Sequence, residues 1–251
     1  MKMMNIMLQC VLFFAVTNVY AQDGATSVKD RPLLLIVAIA GIALAPFVVM
    51  MMTSFVKISV VFSILRSALG THNIPPNQVL IGFSLILTLY IMLPVGVEIR
   101  KTTAKVIKQE TGEPLLSHAT VENIIQISKA ATGPVKKFLS RNAHPKDKHL
   151  FYTLALRMNN TESGAKIEKE DLLILVPAFV ISELKEAFEI GFIIFIPFIV
   201  IDLVVSNILL SLGMFMLSPM MISLPFKLLL FVMVDGWCLL SRGLILGYTG
   251  I

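Results

Sequence analysis

Cysteine is nearly absent: the 251 residues hold two, Cys10 and Cys238. The first lies in a stretch expected to be removed and the second in apolar sequence. The mature chain therefore has neither an intramolecular disulfide nor a thiolate metal site. Charge is scarce as well, 15% of residues against 56% hydrophobic, with a mean hydropathy of +0.84. That balance excludes an ordinary soluble domain and marks an integral membrane protein. Histidine is limited to His72, His118, His144 and His149. None has the His-Glu-x-x-His spacing that sets two zinc ligands on one helix face, so they read as exposed polar residues. Much of the basic excess, 21 Lys and Arg against 16 Asp and Glu, lies in one polar segment and gives no support to nucleic-acid binding. No inverted repeat relates 33–97 to 172–251, which argues against a small-solute or proton-coupled transporter.

Residues 1–21 have Lys2, an apolar run over 6–16 and Val19-Tyr20-Ala21 before Gln22, the pattern of a secretory signal peptide cleaved after Ala21. It implies a bacterial-type envelope protein whose mature N-terminus starts outside the cytoplasm. The first long apolar run, 33–52, passes through Lys57 into 58–65, with Pro46 expected to kink it. Lys57 either snorkels towards headgroups or has a buried pairing role. Residues 66–78 read as a turn region. The run 79–97 carries no charge and is expected to end at Pro94 and Gly96, making a hairpin with the first. Residues 98–171 hold most of the lysines and read as a polar, helical insert outside the membrane, with loops at 142–149 and 159–165. The hairpin would return this Lys-rich insert to the outer side, against the positive-inside tendency.

After 172–180, expected to break at Pro177, comes Ser182-Glu183-Leu184-Lys185-Glu186-Ala187-Phe188-Glu189. Glu183 and Glu186 fall on neighbouring helix surface, either as a cation site or as a charged face. Ser182 with Lys185 lacks the orienting group and oxyanion loop of a nucleophile pair. The last block, 202–237, holds Asp202, Asn207, Lys227 and Asp235 among apolar residues, with Gly213-Met214-Phe215-Met216 in its middle. If 202–216 and 226–243 are helices joined at Pro219 and Pro225, the mid-point falls near Met221. Asn207 is then level with Asp235, and Asp202 pairs with Arg242. Lys57, Asp202, Lys227, Asp235 and Arg242 thus read as structural charges. Asp202 and Asp235 lack the patterns of an intramembrane protease dyad. Methionine is soft and adaptable, so Met214, Phe215 and Met216 either fill a core or, with several copies on one axis, form a constriction that excludes water.

The stretches GMFMLSPMMISLPFKLLLFVMVDGW, ELKEAFEIGFIIFIPFIVIDLVVSNILLSLG and LRSALGTHNIPPNQVL together closely resemble the FliP/SctR family of type III secretion export-gate subunits. The likeness covers both apolar halves. FVKISVV, ISLPFKLLLF and SRGLILGY look more like the injectisome branch, whereas a cleavable signal is more typical of flagellar FliP. The resemblance implies an all-α, membrane-associated fold of two helical hairpins, with broken, Pro-kinked helices and a polar helical insert, assembling into a helical oligomer. It also implies a non-enzymatic role without cofactor or metal. Copies of the chain, five in the family, would join FliQ/SctS-like and FliR/SctT-like subunits around a conduit for unfolded proteins. FlhB/SctU-like and FlhA/SctV-like proteins would associate at the bacterial inner membrane, with part of the gate facing the periplasm. The family's methionine gasket falls on Met214 and Met216, with Phe215 between them.

Overall fold

The computed structural model describes residues 40, 43, 44, 46–71, 74–108, 131–159 and 168–249. The signal peptide, most of the first apolar run before Pro46, His72, His118 and the loop expected over 159–165 beyond Asn159 lie outside these residues. Among the described residues the regular structure is helical, without a strand. The longer helices are α1 (Phe55–Leu69), α2 (Asn77–Lys108), α3 (Pro145–Asn159), α4 (Leu172–Ser211), α5 (Pro219–Met233) and α6 (Gly236–Thr249); 46–51 and 131–142 are helical as well. The all-α class is as expected.

The chain divides into two compact units, one of 1–53 with 92–179 and one of 54–91 with 180–251. In the second, α1 buries Ile58, Val61, Phe62, Leu65, Ala68 and Leu69, the three-and-four spacing of a helix with one apolar face. It stops at Gly70, whose left-handed φ of 75° and N–H bond to the Ser67 carbonyl close the last turn. On α2, Leu80, Ser84, Leu87, Thr88 and Ile91 are buried. The two hydroxyls satisfy themselves on the helix, Ser84 donating to the Leu80 carbonyl and Thr88 to that of Ser84, both at 2.7 Å. Phe62 stacks on Phe83 at 5.2 Å, and Trp237 stands edge-on to Phe62, Phe83 and Phe231.

In the first unit, Leu139, Ala143, Ile174, Leu175 and Phe179 are buried, and the Phe138 and Phe179 rings lie 5.7 Å apart. Lys137 meets Glu98 at 3.2 Å and Lys136 meets Asp171 at 3.7 Å, partly exposed pairs that contribute little. The loop expected over 142–149 shrinks to 143–144. Pro145 opens α3 and Asp147 stands in its first turn, where a missing N–H costs nothing and a negative charge meets the helix dipole.

Proline departs furthest from expectation. Helix α2 continues through Pro94 and Gly96 to Lys108, and α4 runs unbroken for 40 residues through Pro177 and Pro197. In apolar surroundings a backbone released from the helix finds no water, so one lost hydrogen bond is tolerated and the helix is kept. Two helices, 77–104 and α4, are long and apolar enough to cross a membrane, and α5 with α6 passes the same test as a pair bent by 59°.

Candidate functional site

The Met-rich sequence sits at the tip of a helical hairpin, and Gly213 puts it there. At the end of α4 the Gly213 N–H bonds the Leu210 carbonyl at 3.1 Å and the Met214 N–H bonds that of Leu209 at 3.0 Å. Gly213 takes a φ of 71°. This pair of bonds around a left-handed glycine is the Schellman ending, which satisfies the last carbonyls and turns the chain out of the helix. Pro219 and Pro225, expected to form the turn, lie in α5 instead. Pro219 is its first residue, after Ser218, where proline's fixed φ suits a helix start. The reversal therefore occupies 212–218, and Met214 to Met216 are the turn itself.

Two sets of polar contacts fix the hairpin's register. Lys227 donates to Asp202 Oδ2 at 2.6 Å and to the Ala68 carbonyl at 3.2 Å, and Ser223 donates to Asp202 Oδ1 at 2.5 Å. Farther down, Tyr248 donates to Glu183. Asp202 and Lys227 lie 13 and 12 residues from Phe215, and Glu183 and Tyr248 lie 32 and 33 residues from it. The hairpin is thus centred on Phe215 rather than Met221. That shift is why the expected Asp202–Arg242 pair does not form and why Asn207 is not level with Asp235. Asp202 is instead opposite Lys227, one of the other structural charges. Asp235, at a φ of 50°, stands exposed at the break between α5 and α6, and Arg242 is exposed on α6.

The deeper cluster takes in Lys57. Lys57 is 4% exposed, and its ammonium lies 2.5 Å from Glu186 Oε2 and 3.5 Å from Glu183 Oε2. It also lies 4.2 Å from the centre of the Tyr248 ring, a cation over an aromatic face. The cation that Glu183 and Glu186 hold is this ammonium. Glu183 is fully buried, whereas Lys185 and Glu189 of the same run are exposed. The sequence reading had no signal for Tyr248, whose partner is 65 residues away. Ser223 was missed because its role follows only once the turn is placed at Gly213.

Around these clamps the tip is bare. Met214 is 48%, Phe215 76% and Met216 99% exposed, and Leu212, Met220 and Met221 are exposed too. Among the described residues no group of three or more His, Cys, Asp or Glu is placed to hold a metal ion. The arrangement presents an exposed apolar knob on a hairpin that the Asp202–Lys227 and Lys57–Glu183–Glu186 contacts hold from within.

The FliP family model matches residues 38–244. The chain is 44% identical over 216 residues to Yop proteins translocation protein R of Yersinia pestis, covering 86% of this chain and 96% of that one. It is 43% identical over 231 residues to the flagellar biosynthetic protein FliP of Bacillus subtilis, covering 91% and 96%. With the virulence protein YscR of Salmonella typhimurium the identity is 41% over 223 residues, covering 89% and 100%. The family match takes in Lys57, Glu183, Glu186, the Asp202–Ser223–Lys227 clamp and the whole Met turn and ends before Tyr248, and the chain belongs to the FliP family.

Proposed function

We propose that this chain is a core subunit of a type III secretion export gate, and that copies of its Met214–Phe215–Met216 turn meet to close a conduit for unfolded protein substrates. The observation that carries the reading is the bare apolar tip on a hairpin locked beneath it by Asp202, Ser223 and Lys227. Contiguous exposed apolar residues mark a surface that another protein covers. Methionine adapts to irregular contacts, and apolar constrictions gate by excluding water. Copies of the chain, five by resemblance, would assemble with FliQ/SctS-like and FliR/SctT-like subunits, and FlhB/SctU-like and FlhA/SctV-like proteins would join them. The two membrane-length helices fit a place in the bacterial inner membrane, part of the gate facing the periplasm. The work is structural, with energy supplied by other components.

Identities of 44% to a Yop translocation protein and 43% to a flagellar FliP support either branch. The injectisome reading rests on the FVKISVV, ISLPFKLLLF and SRGLILGY runs. Deleting the gene tests both readings at once. Loss of virulence-type secretion with motility intact is the expected result, and loss of flagella alone would move the chain to the flagellar branch. Normal export through both systems would contradict the proposal.

A further inference from the structure

Among the described residues Lys57, Lys227, Glu183, Glu186 and Asp202 of the hairpin unit are ion-paired, and Glu189 and Arg242 are in none of these pairs. Both side chains are exposed. Glu189 stands among Phe188, Phe192 and Ile193, which are 61%, 68% and 67% exposed, and Arg242 lies between Leu239 and Leu246 on α6, 62% and 41% exposed. The buried residues flanking Glu189 are Ala187 and Gly191, so Glu189 points away from the core. Leu244 and Tyr248 are buried on α6 while Arg242 is exposed. A charge left on an apolar surface is costly unless an opposite charge or water meets it.

The register supplies that opposite charge. Glu189 is six residues beyond Glu183 on α4, and Arg242 is six residues before Tyr248 on α6, both towards the tip. Each is therefore about 9 Å along its own helix from the Glu183–Tyr248 contact. Within one chain no ion pair joins them, yet one acid and one base stand equidistant from the same anchor on exposed apolar faces.

We infer that Glu189 of one copy pairs with Arg242 of the next, making the α4 and α6 outer faces the two halves of a head-to-tail interface. This rests on the proposed assembly of several copies. A head-to-tail contact of this kind leaves one acid and one base free at the ends of any open row and, repeated, closes into a ring or runs on as a helix. The apolar neighbours of both charges form its dry core, and the ion pair fixes which copy sits at which height.

Two differently tagged full-length chains, both with Cys10→Ser and Cys238→Ser, test this when made together with the secretion apparatus. One carries Glu189→Cys and the other Arg242→Cys. A bifunctional thiol reagent is used, since a direct disulfide needs Cα atoms within about 7 Å. A covalent dimer joining the two tags is expected, and an intrachain pair cannot produce it. Native mass of the unlinked complex is measured alongside. If it shows no assembly of copies, the underlying function reading fails; if copies assemble and the tags stay separate, the pairing alone is overturned. In parallel, Glu189→Arg or Arg242→Glu alone is expected to lower the assembled fraction about tenfold or more, because like charges then face each other. The double reversal is expected to restore it. If instead Arg242 serves an anionic lipid headgroup, Arg242→Glu loses assembly, Glu189→Arg keeps it and the double reversal gives no rescue, which overturns the pairing.

Discussion

Lys57 and Lys227 are 4% and 3% exposed, and each is held by carboxylates on α4. Their stabilities differ in kind. Lys227 bridges three helices, reaching Asp202 on α4 and the Ala68 carbonyl in the last turn of α1, where an orphan carbonyl welcomes a donor. Replacing it by methionine leaves Asp202 with Ser223 only, and a cost of about 3–5 kcal/mol is expected for breaking a buried pair from one side. The midpoint of thermal unfolding of the detergent-solubilised subunit measures it. Asp202→Asn in that background should cost little more, because the pair is already broken. At the deeper cluster Lys57→Met should be comparably harmful, while Glu186→Gln should cost less, since its side chain is 32% exposed and partly screened by solvent. Glu183 Oε1 and Ser54 Oγ are buried without a partner among the described residues. Each such group costs about 1–3 kcal/mol, so packing, and not complete pairing, holds this corner.

Among the helices, glycine governs the geometry that proline was expected to govern. A Cβ on Gly191 would collide with the Ile64 side chain, and one on Gly236 would collide with the Phe231 ring. Gly191→Ala is expected to destabilise the subunit by about 1–3 kcal/mol through overpacking, and Ile64→Ala in the same chain should recover part of the loss. Unfolding midpoints of the single and double variants check this. At Gly213 a Cβ meets nothing, so Gly213→Ala should cost only the left-handed backbone, about 1–2 kcal/mol. The apolar face of α1 was legible in the spacing of Ile58, Phe62 and Leu65, because a helix core repeats locally. The hairpin turn was less so. Proline is a breaker where water can take over the freed backbone groups, and that condition fails for Pro94, Pro177 and Pro197. The Ser-Leu-Gly ending at 211–213 was the better signal, and moving the turn there changes every cross-helix pair at once. Contacts such as Tyr248 to Glu183 join residues too far apart in sequence for any periodicity to reveal.

On the scale of the whole molecule, membrane-length helices and an all-helical fold support a gate subunit, and its unpaired surfaces are read as meeting places. In the proposed assembly the outer faces carrying Glu189 and Arg242 would govern how copies join, and the tip what the joined copies do. Locked below by Asp202 and Lys227, the turn at Met214, Phe215 and Met216 should act as a deformable seal that excludes water when closed. The most direct test is ion leakage across membranes of cells carrying the assembled apparatus with Met214→Ala and Met216→Ala together. Removing these side chains would open the proposed constriction without touching either clamp, so a raised ion leak with the complex intact by native mass is the expected result. A fully sealed membrane with normal secretion from the same intact complex would contradict the seal.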